Sequence, residues 1–412
     1  EGSLFPWEAF TGGGTGWAAV EAFSPAGVGH GMWGEEDRLR PMEPSPLPAM
    51  LEQATRSGVI RFAGPAIDPV DMRRHDASKA ADLSDWLVGR RTMTVPPMSS
   101  LVAVIDFETY LCVYPELITT GGKGAMVELE WAEAMSTVPR ETGVRKEHRD
   151  TVDGMYFVGR GPTFVPDGGH GRRFATHWWC AGRYACLRIR TEAQALILEA
   201  INLYETRYPY HPLPLPEVDD VRLSRVLPVM DRALAVSMHE TYADSPYYEQ
   251  LQYVGDTRLE ALLTYVRTED HRLPQRACEL FAGSLLPNGL TQSRYPCYAP
   301  QVIGPFCLWW ICMLHDLARW RGEKERVARS MPAARMVLET YRQYVGADGL
   351  LGCVPGWNFV DWVRQWEFGC PPQAQTGTSG IINWQLVYAL RHKAELEDWL
   401  GEPTLAQRDR DT

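Results

Sequence analysis

The spacing of apolar residues changes abruptly after a proline-rich stretch at Pro212, Pro214 and Pro216. Before this point, apolar and polar residues alternate in short runs, as in strands with one buried face. Beyond it, the apolar residues recur about every 3.6 positions, as on one side of a helix. The two periods do not fit a single layer of one kind, so the sequence predicts a β domain followed by an α domain.

Residues 91–214 are predicted to form an antiparallel β-sandwich. Turns are marked by Gly121-Gly122 and Gly168-Gly169. The alternating runs span 101–107, 125–131, 155–158 and 184–190. Residues 1–90 are rich in Gly and Pro and are predicted to hold the end of an N-terminal β domain and a connector. The Gly12–Gly16 run lacks the GxGxxG spacing, so we predict a loop there and not a dinucleotide site.

Residues 215–412 are predicted to be helical, with about six apolar-periodic segments separated by long loops rich in Trp, Tyr, Pro and Asp. The segments span 218–236, 254–266, 273–285, 302–320, 327–344 and 380–400. Gly401 is a predicted stop for the last one. Helix pairs with elaborated loops at one end build the sites of α-toroids. The sequence therefore predicts the first half of a catalytic (α/α)6 toroid, with about six of its twelve helices.

The composition narrows the class of ligand. A net charge of -11 and a pI near 5.5 argue against binding to nucleic acid, which requires a basic surface. No run approaches the ~20 apolar residues of a membrane span, so no membrane association is predicted. The 15 Trp and 17 Tyr residues are a surplus, and flat rings suit the C–H patches of sugars. A carbohydrate partner is therefore favoured.

Neither a metal nor a cofactor is predicted. The nine Cys residues are scattered without a CxxC pair, so no structural zinc site or disulfide framework is indicated. His239-Glu240 resembles the start of the HExxH motif, but Ala243 stands where the second His is required. The first residue is Glu1 and not Met, which leaves the localisation open between cytoplasmic and secreted or periplasmic.

A polar, aromatic segment at 239–258 separates two of the predicted helices. It contains Asp244, Glu249 and Asp256, at intervals of five and seven residues. On one continuous helix, seven steps of about 100° would return Asp256 to nearly the face of Glu249. If a helix starts only near Gly255, both carboxylates would lie at its N-terminal end. Either arrangement allows them to share a cavity.

Like charges in a dry aromatic pocket raise the proton affinity of one member, and a protonated carboxyl can donate its proton to a departing glycosidic oxygen. We predict that Glu249, with Tyr247, Tyr248 and Tyr253 nearby in the sequence, is this proton donor. The other two carboxylates would be ionised and would accept sugar hydroxyls. From the residues alone, a set of capping or solvated loop carboxylates is an equally open alternative.

The stretch 244–258, DSPYYEQLQYVGDTR, is similar to the signature of the α-L-rhamnosidases of glycoside hydrolase family 78. Five other stretches agree with the family in order and character: 120–125, 177–184, 289–296, 305–310 and 356–362. The resemblance implies inverting hydrolysis of terminal α-L-rhamnosyl residues from glycosides or polysaccharides. It also implies that Glu249 is the general acid and that Asp244 and Asp256 bind the rhamnose ring.

The resemblance implies further contacts with the sugar. Tyr253 stands where many members of the family have a Trp, and Trp357 is similar to one of the sugar-stacking rings. The other such ring is Trp309, or equally its neighbour Trp310, and for each ring the alternative is burial in a core. The residues expected to bind substrate are Asp244, Tyr253, Asp256, Arg258, Trp309, Trp357 and Asp361.

An inverting glycosidase needs a second carboxylate as base, roughly 6.5–9.5 Å from the acid. In the resembled family it is a Glu from a late unit of the toroid, which we expect beyond Thr412; Glu367 is the alternative within the chain. We therefore expect the chain to be a fragment that hydrolyses aryl α-L-rhamnosides slowly or not at all. Helix faces without partners would favour a homo-oligomer.

Two other functions stay open from the sequence. One is a fragment that binds carbohydrate without cleaving it. The other is an α-toroid enzyme with different chemistry, such as a polysaccharide lyase or another glycosidase, because this fold hosts several activities. Release of rhamnose, binding without release, or an unsaturated product would distinguish the three.

Overall fold

A computed structural model describes residues 28–29, 38–39, 45–55, 58–65 and 70–412. They form two compact units. The first consists mainly of Met50–Arg207 with Pro246–Tyr248, and the second mainly of Tyr208–Ser245 and Glu249–Thr412. The Gly12–Gly16 run and most of the predicted N-terminal β domain lie outside the described residues.

Strands dominate the first unit. Two short strands among the described residues, β1 (Val28–Gly29) and β2 (Arg38–Leu39), belong to the second unit. The described strands of the first unit are β3 (Leu51–Ala54), β4 (Val59–Gly64), β5 (Val70–Asp71), β6 (Met93–Val95), β7 (Ser100–Gly121), β8 (Met126–Ala132), β9 (Tyr156–Phe157), β10 (Thr163–Phe164), β11 (Arg172–Ala175), β12 (Cys180–Arg190) and β13 (Leu196–Arg207). The pairs β1–β2 and β5–β9 stand apart from the main sheet.

Nine strands of the described residues form one antiparallel sheet around the 22-residue strand β7. The first part of β7 pairs with β4 and β12, and its last part pairs with β11 and β13. The antiparallel prediction is confirmed. The long strand β7 runs through the whole sheet, so its pairing partners change along its length. The sequence concealed this because the apolar run ends at Phe107, and Glu108, which has a φ of 59°, continues the strand.

The sheet encloses an apolar core that also receives helix α1 (Ala77–Leu87), through Leu83 and Trp86. The helix begins at Asp76, whose Oδ1 accepts hydrogen bonds from the N–H groups of Ser78 and Lys79 at 3.1 and 3.2 Å. Such a cap satisfies N–H groups that the first helical turn leaves unpaired. Helix α1 was not predicted, because it lies in a segment that was assigned to a connector.

A fully buried carboxylate, Asp106, is neutralised by arginines in this unit. Its two oxygens accept hydrogen bonds from Nε of Arg183 at 2.9 Å and Nε of Arg61 at 3.1 Å. Burial by itself raises the pKa of Asp106, but the hydrogen bonds from Arg183 and from the N–H of Glu108 outweigh it. The pKa is therefore lowered, and the carboxylate stays ionised.

The second unit is helical, as predicted. Its helices among the described residues are α2 (Val221–Ser237), α3 (Val254–Arg267), α4 (Arg272–Gly283), α5 (Gly304–Arg321), α6 (Lys324–Arg342), α7 (Gly380–Leu400) and α8 (Pro403–Asp411). Helix α5 contacts α3, α4, α6 and α7 and is the most buried of the set. No described helix is both long and apolar enough to cross a membrane.

Gly401 ends α7 in the left-handed conformation, with a φ of 94°, as the sequence indicated. The additional helix α8 follows and was not predicted. Its only buried residues are Ala406 and Asp409, so it carries almost no apolar pattern. It is held by charge instead, because Asp409 accepts hydrogen bonds from Lys393 at 2.7 Å and from Arg342 at 2.5 Å.

Candidate active site

An open cavity of about 460 Å³ lies in the second unit, at the beginnings of α3 and α5. It is lined by all eight site residues that the sequence analysis selected, which are Asp244, Glu249, Tyr253, Asp256, Arg258, Trp309, Trp357 and Asp361. It is also lined by Gly255, Leu259, Ile303, Phe306, Phe359, Val360 and Trp362, which were not selected. Most of these are indistinguishable from core residues in a sequence, but Trp362 ends the GWNFVDW stretch that was already noted.

The first turn of α3 forms one wall of the cavity. Tyr253 precedes the helix, and Asp256 lies in its first turn, where the helix dipole favours a carboxylate. Gly255 between them allows α3 to approach α5 closely, because a Cβ at this position would lie 2.7 Å from the ring of Phe306. The approach brings the carboxylate beside the rings that line the cavity.

Asp256 is the cavity carboxylate with a raised pKa. Burial is the main cause, and the negative charges of Glu249 and Asp361 raise the pKa further. The side chain is accessible to solvent that fills the cavity, but the cavity walls surround it with protein. Glu249 was expected to be the carboxyl with the raised proton affinity and Asp256 to be ionised, but the pKa is raised at Asp256.

A closed turn presents Asp244 and Glu249. The N–H of Asp244 donates to the carbonyl oxygen of Leu251 at 3.0 Å, and the N–H of Leu251 donates back to Oδ1 of Asp244 at 3.2 Å. Within this turn, Gln250 donates its N–H to the oxygen of Ser245 at 2.9 Å. These bonds fix the chain on either side of Glu249.

The environment expected for Glu249 is wrong in one respect. Its side chain is exposed, and Tyr247 and Tyr248 do not line the cavity. Both tyrosines belong to the first unit, where the hydroxyl of Tyr247 donates to the main-chain oxygen of Trp131 at 2.8 Å. Of the three tyrosines near Glu249 in the sequence, only Tyr253 lines the cavity, so the described residues leave this carboxyl open.

Trp309 and Trp310 differ in burial. Trp310 is fully buried and donates its Nε1–H to the carbonyl oxygen of Cys278 at 3.1 Å. Trp309 is partly exposed and lines the cavity. The guanidinium of Arg258 lies over its ring at 5.0 Å, and the ring of Tyr388 meets it edge-on at 6.1 Å.

Arg258 is itself neutralised. Its Nε donates to Oδ2 of Asp316 at 2.9 Å, and both side chains are largely buried. Burial lowers the pKa of Arg258, but Asp316 outweighs this effect and the pKa is raised. The contacts of Arg258 with Asp316 and Trp309 indicate that it supports the cavity wall.

Glu260 is a second carboxyl that protein surrounds. It lies one turn after Asp256 on α3 and does not line the cavity. Burial raises its pKa well above the usual 4.5, and the charge of Asp256 adds to the effect. Among the described residues, its Oε2 has no hydrogen-bond partner. Burial thus favours the uncharged form of Glu260.

The loop at 357–369 forms the opposite wall. Nε1–H of Trp357 donates to the oxygen of Phe368 at 3.0 Å, and the N–H of Trp362 donates to Oδ1 of Asp361 at 2.7 Å. Gly369 closes the loop with a φ of 70°, and a Cβ there would lie 2.3 Å from the ring of Phe359. Glu367, the alternative base, is exposed and does not line the cavity.

The cavity is acidic without compensation. Within the described part of the chain, no Lys or Arg forms an ion pair with any of its carboxylates, which are Asp244, Glu249, Asp256 and Asp361. No group of three or more His, Cys, Asp or Glu side chains among the described residues is placed to hold a metal ion. Unpaired carboxylates beside aromatic faces can accept hydroxyl hydrogen bonds and exchange protons.

Residues 217–410 match the family model described as the bacterial α-L-rhamnosidase six-hairpin glycosidase domain. The chain is α-L-rhamnosidase-like. The match covers nearly all of the helices of the second unit and every residue that lines the cavity, so this part of the chain is similar to a glycoside hydrolase domain. Among curated proteins, no significant match was found.

Solved structures of rhamnosidases share the fold. The family 78 rhamnosidase of Bacillus sp. GL1 has a TM-score of 0.68 and 22% identity, over 80% of this chain and 33% of the Bacillus chain. The rhamnosidase of Klebsiella oxytoca, solved with rhamnose bound, has a TM-score of 0.68 and 19% identity, over 88% and 69% of the two chains. The chain thus spans a third of the Bacillus enzyme and about two thirds of the Klebsiella one.

Proposed function

We propose that the protein hydrolyses terminal α-L-rhamnosyl groups of glycosides or polysaccharides. The observation that carries the proposal is the convergence of Asp244, Glu249 and Asp256 with aromatic side chains in one cavity. These carboxylates belong to the stretch that resembles the family signature, and the family match covers the whole cavity. The rhamnose bound to the Klebsiella neighbour supports the choice of sugar.

We also propose that the helices of 215–412 are part of an (α/α)6 toroid, preceded by a β domain over 91–214. The central position of α5 among α3, α4, α6 and α7 supports this arrangement. So does the location of the cavity, which opens where two helices begin and where long loops enter.

In the proposed reaction, Asp244 and Asp256 accept hydrogen bonds from the hydroxyls of the rhamnose ring, and Glu249 protonates the leaving oxygen. Tyr253, Trp309 and Trp357 present ring faces to the C–H surfaces of the sugar. Because Glu249 is exposed in the free protein, the bound sugar itself would displace the water around it. Desolvation of the acid then comes from the substrate and not from neighbouring tyrosines.

Inverting hydrolysis also requires a carboxylate that activates water. The resemblance assigns this role to a late unit of the toroid. Asp361 is the remaining cavity carboxylate, and we assign it to substrate binding. One of its oxygens already accepts a hydrogen bond from the Trp362 N–H, which weakens it as a base. If azide restored the activity of Asp361→Ala and formed a β-rhamnosyl azide, Asp361 would be the base and this assignment would be wrong.

The proposal is tested with 4-nitrophenyl α-L-rhamnoside, and the α-L-fucoside serves as a stereochemical control. We expect L-rhamnose to bind in a calorimetric titration, the aryl rhamnoside to be cleaved slowly, and the fucoside to be neither bound nor cleaved. Binding without any release would favour a carbohydrate-binding role, and an ultraviolet-absorbing unsaturated product would favour a lyase. Absence of both binding and release would contradict the proposal.

A further inference from the structure

One indole of the cavity is far more exposed than a tryptophan normally is. Trp362 lines the cavity, yet 72% of its side-chain surface remains accessible. A large ring left open to solvent gives up the stabilisation that burial provides, and where such a ring also lines a cavity, function supplies a reason for its position. Contact with a ligand at the open side of the cavity is such a reason.

The exposed ring is nevertheless held in place. Its centroid lies 5.1 Å from that of Phe359, in an edge-to-face arrangement, and 6.2 Å from that of Trp357. The rings of Phe359 and Trp357 also contact each other, with 4.9 Å between their centroids, so Trp362 packs against a pair of aromatic rings. A side chain that is already ordered loses little conformational entropy when it binds a ligand.

Main-chain hydrogen bonds fix the loop beneath these rings. The N–H of Val360 donates to the oxygen of Gly369 at 3.0 Å, and the N–H of Val363 donates to the oxygen of Asp361 at 2.9 Å. Together with the Trp357 contact to Phe368, they close the loop on both sides of Trp362. The loop that carries the indole of Trp362 is therefore held in one conformation by hydrogen bonds.

The other rings of the cavity are engaged differently. Arg258 covers one face of Trp309, and the hydroxyl of Tyr253 accepts a hydrogen bond from Arg294 at 3.1 Å. Both lie on the helical wall that also carries Asp256. Trp362 lies on the loop wall and is the most exposed ring of the cavity. The two walls thus offer aromatic surface at different depths.

We propose that Trp362 forms the subsite for the leaving group. A glycosidase must hold the sugar that it transfers near its carboxylates, so the group beyond the cleaved bond extends outward, where Trp362 is exposed. An indole face suits a flat apolar surface, either the aryl ring of a phenolic glycoside or the C–H face of a second sugar. This inference rests on the proposed rhamnosidase function and adds the recognition of the group that departs.

The experiment compares Trp362→Ala with Trp384→Ala. Trp384 is a matched control because it is 75% exposed, lies on α7 and does not line the cavity. Binding is measured by calorimetry with three ligands that are not cleaved readily: L-rhamnose, phenyl 1-thio-α-L-rhamnoside and a thio-linked rhamnosyl-glucose. The two thio ligands separate the aryl source from the sugar source of the leaving group.

The unaltered protein should bind at least one thio ligand more tightly than L-rhamnose. Trp362→Ala should reduce this advantage about 3- to 10-fold and leave the affinity for L-rhamnose unchanged, since a ring contact contributes modestly. Trp362→Phe should keep most of the advantage, and Trp384→Ala should change nothing. An unaltered ratio of affinities in Trp362→Ala would overturn the subsite alone, whereas failure of the unaltered protein to bind L-rhamnose would overturn the proposed function.

Discussion

The two units each surround an aspartate with protein, but with opposite electrostatic results. In the sheet, Asp106 is fully buried between Arg61 and Arg183, and its pKa is lowered. In the cavity, Asp256 is surrounded by protein and faces two other carboxylates, and its pKa is raised. Desolvation acts in the same direction on both groups, so the difference lies in the partners.

The comparison separates charge that stabilises the fold from charge that is available to a ligand. Both oxygens of Asp106 accept hydrogen bonds from guanidinium groups, so few acceptor positions remain for a substrate. Asp256 has no ion pair within the described part of the chain, so its charge is uncompensated until a ligand donates hydrogen bonds to it. Removal of the charge of Asp106 should therefore weaken the fold, and removal of the charge of Asp256 should weaken function.

The largest expected effect is on catalysis. Glu249→Gln removes the proposed proton donor and should reduce rhamnose release about 10²- to 10⁴-fold, with little change in thermal stability because Glu249 is exposed. The loss should be greater for substrates whose leaving groups are weaker acids. Glu240→Gln is the control, because Glu240 is also exposed and does not line the cavity. A rate within a few-fold of the unaltered protein would refute the assignment.

Asp106→Asn should produce the largest loss of stability. It leaves two arginines without their shared partner, and breaking a buried ion pair costs about 3–5 kcal/mol. Because the pKa of Asp106 is lowered, its contribution is present above its usual value of 3.8 and is lost as the pH falls through the folded-state pKa.

The difference in urea unfolding between Asp106→Asn and the unaltered protein should therefore be full at pH 7 and shrink below pH 4. Asp153→Asn, at an exposed turn, should have no such effect. Equal stability of Asp106→Asn and the unaltered protein at pH 7 would show that the sheet does not depend on this charge.

Asp256→Asn should behave in the opposite way. It should weaken L-rhamnose binding about 10- to 100-fold, as expected for the loss of a charged hydrogen-bond acceptor. It should not lower the melting temperature, because the raised pKa means that the ionised form is disfavoured in the folded protein. Asp348→Asn, at an exposed turn, is the control for calorimetry and melting. A loss of stability comparable to that of Asp106→Asn would show that the charge of Asp256 also stabilises the fold, contrary to the proposed difference between these two aspartates.

The smallest effect is expected at Glu260. Its folded-state pKa is raised, so the contribution of Glu260 to stability should be greatest below pH 4.5 and should fall as the pH rises towards that raised value. Glu260→Gln mimics the protonated side chain and removes this dependence. At each pH, the melting temperature of Glu260→Gln is compared with that of the unaltered protein. This difference should be about 1–4 °C larger at pH 8 than at pH 4. The same difference at both pH values would mean that Glu260 does not titrate as described.

The sequence predicted the elements that have strong apolar periodicity. The strand around Leu187 and the helix that ends at Gly401 agree with the structure to within a few residues, because their patterns are long and their stops are clear. Helix α8 could not be predicted in this way, since the burial of Asp409 depends on Lys393 and Arg342 from other helices. Charge pairs between distant residues leave no periodic signal.

The candidate site was predicted in composition but not in environment. The motif spacing was sufficient to bring Glu249 and Asp256 to one cavity. It could not reveal that Tyr247 contacts Trp131, or that Trp310 is buried while Trp309 is not, because neighbouring residues in a chain can face different ways. Trp362 was within the quoted motif, and its exposure became visible only in three dimensions.

The absence of a side chain at Gly255 limits how this protein can be engineered. Replacing a helical Gly by Ala is a common route to a more heat-resistant protein, because it improves helix propensity by about 1 kcal/mol. Here the added methyl group would meet the Phe306 ring at 2.7 Å and push the first turn of α3 away from α5. A programme of thermostabilisation should leave Gly255 unchanged, or replace Phe306 by a smaller residue in the same variant.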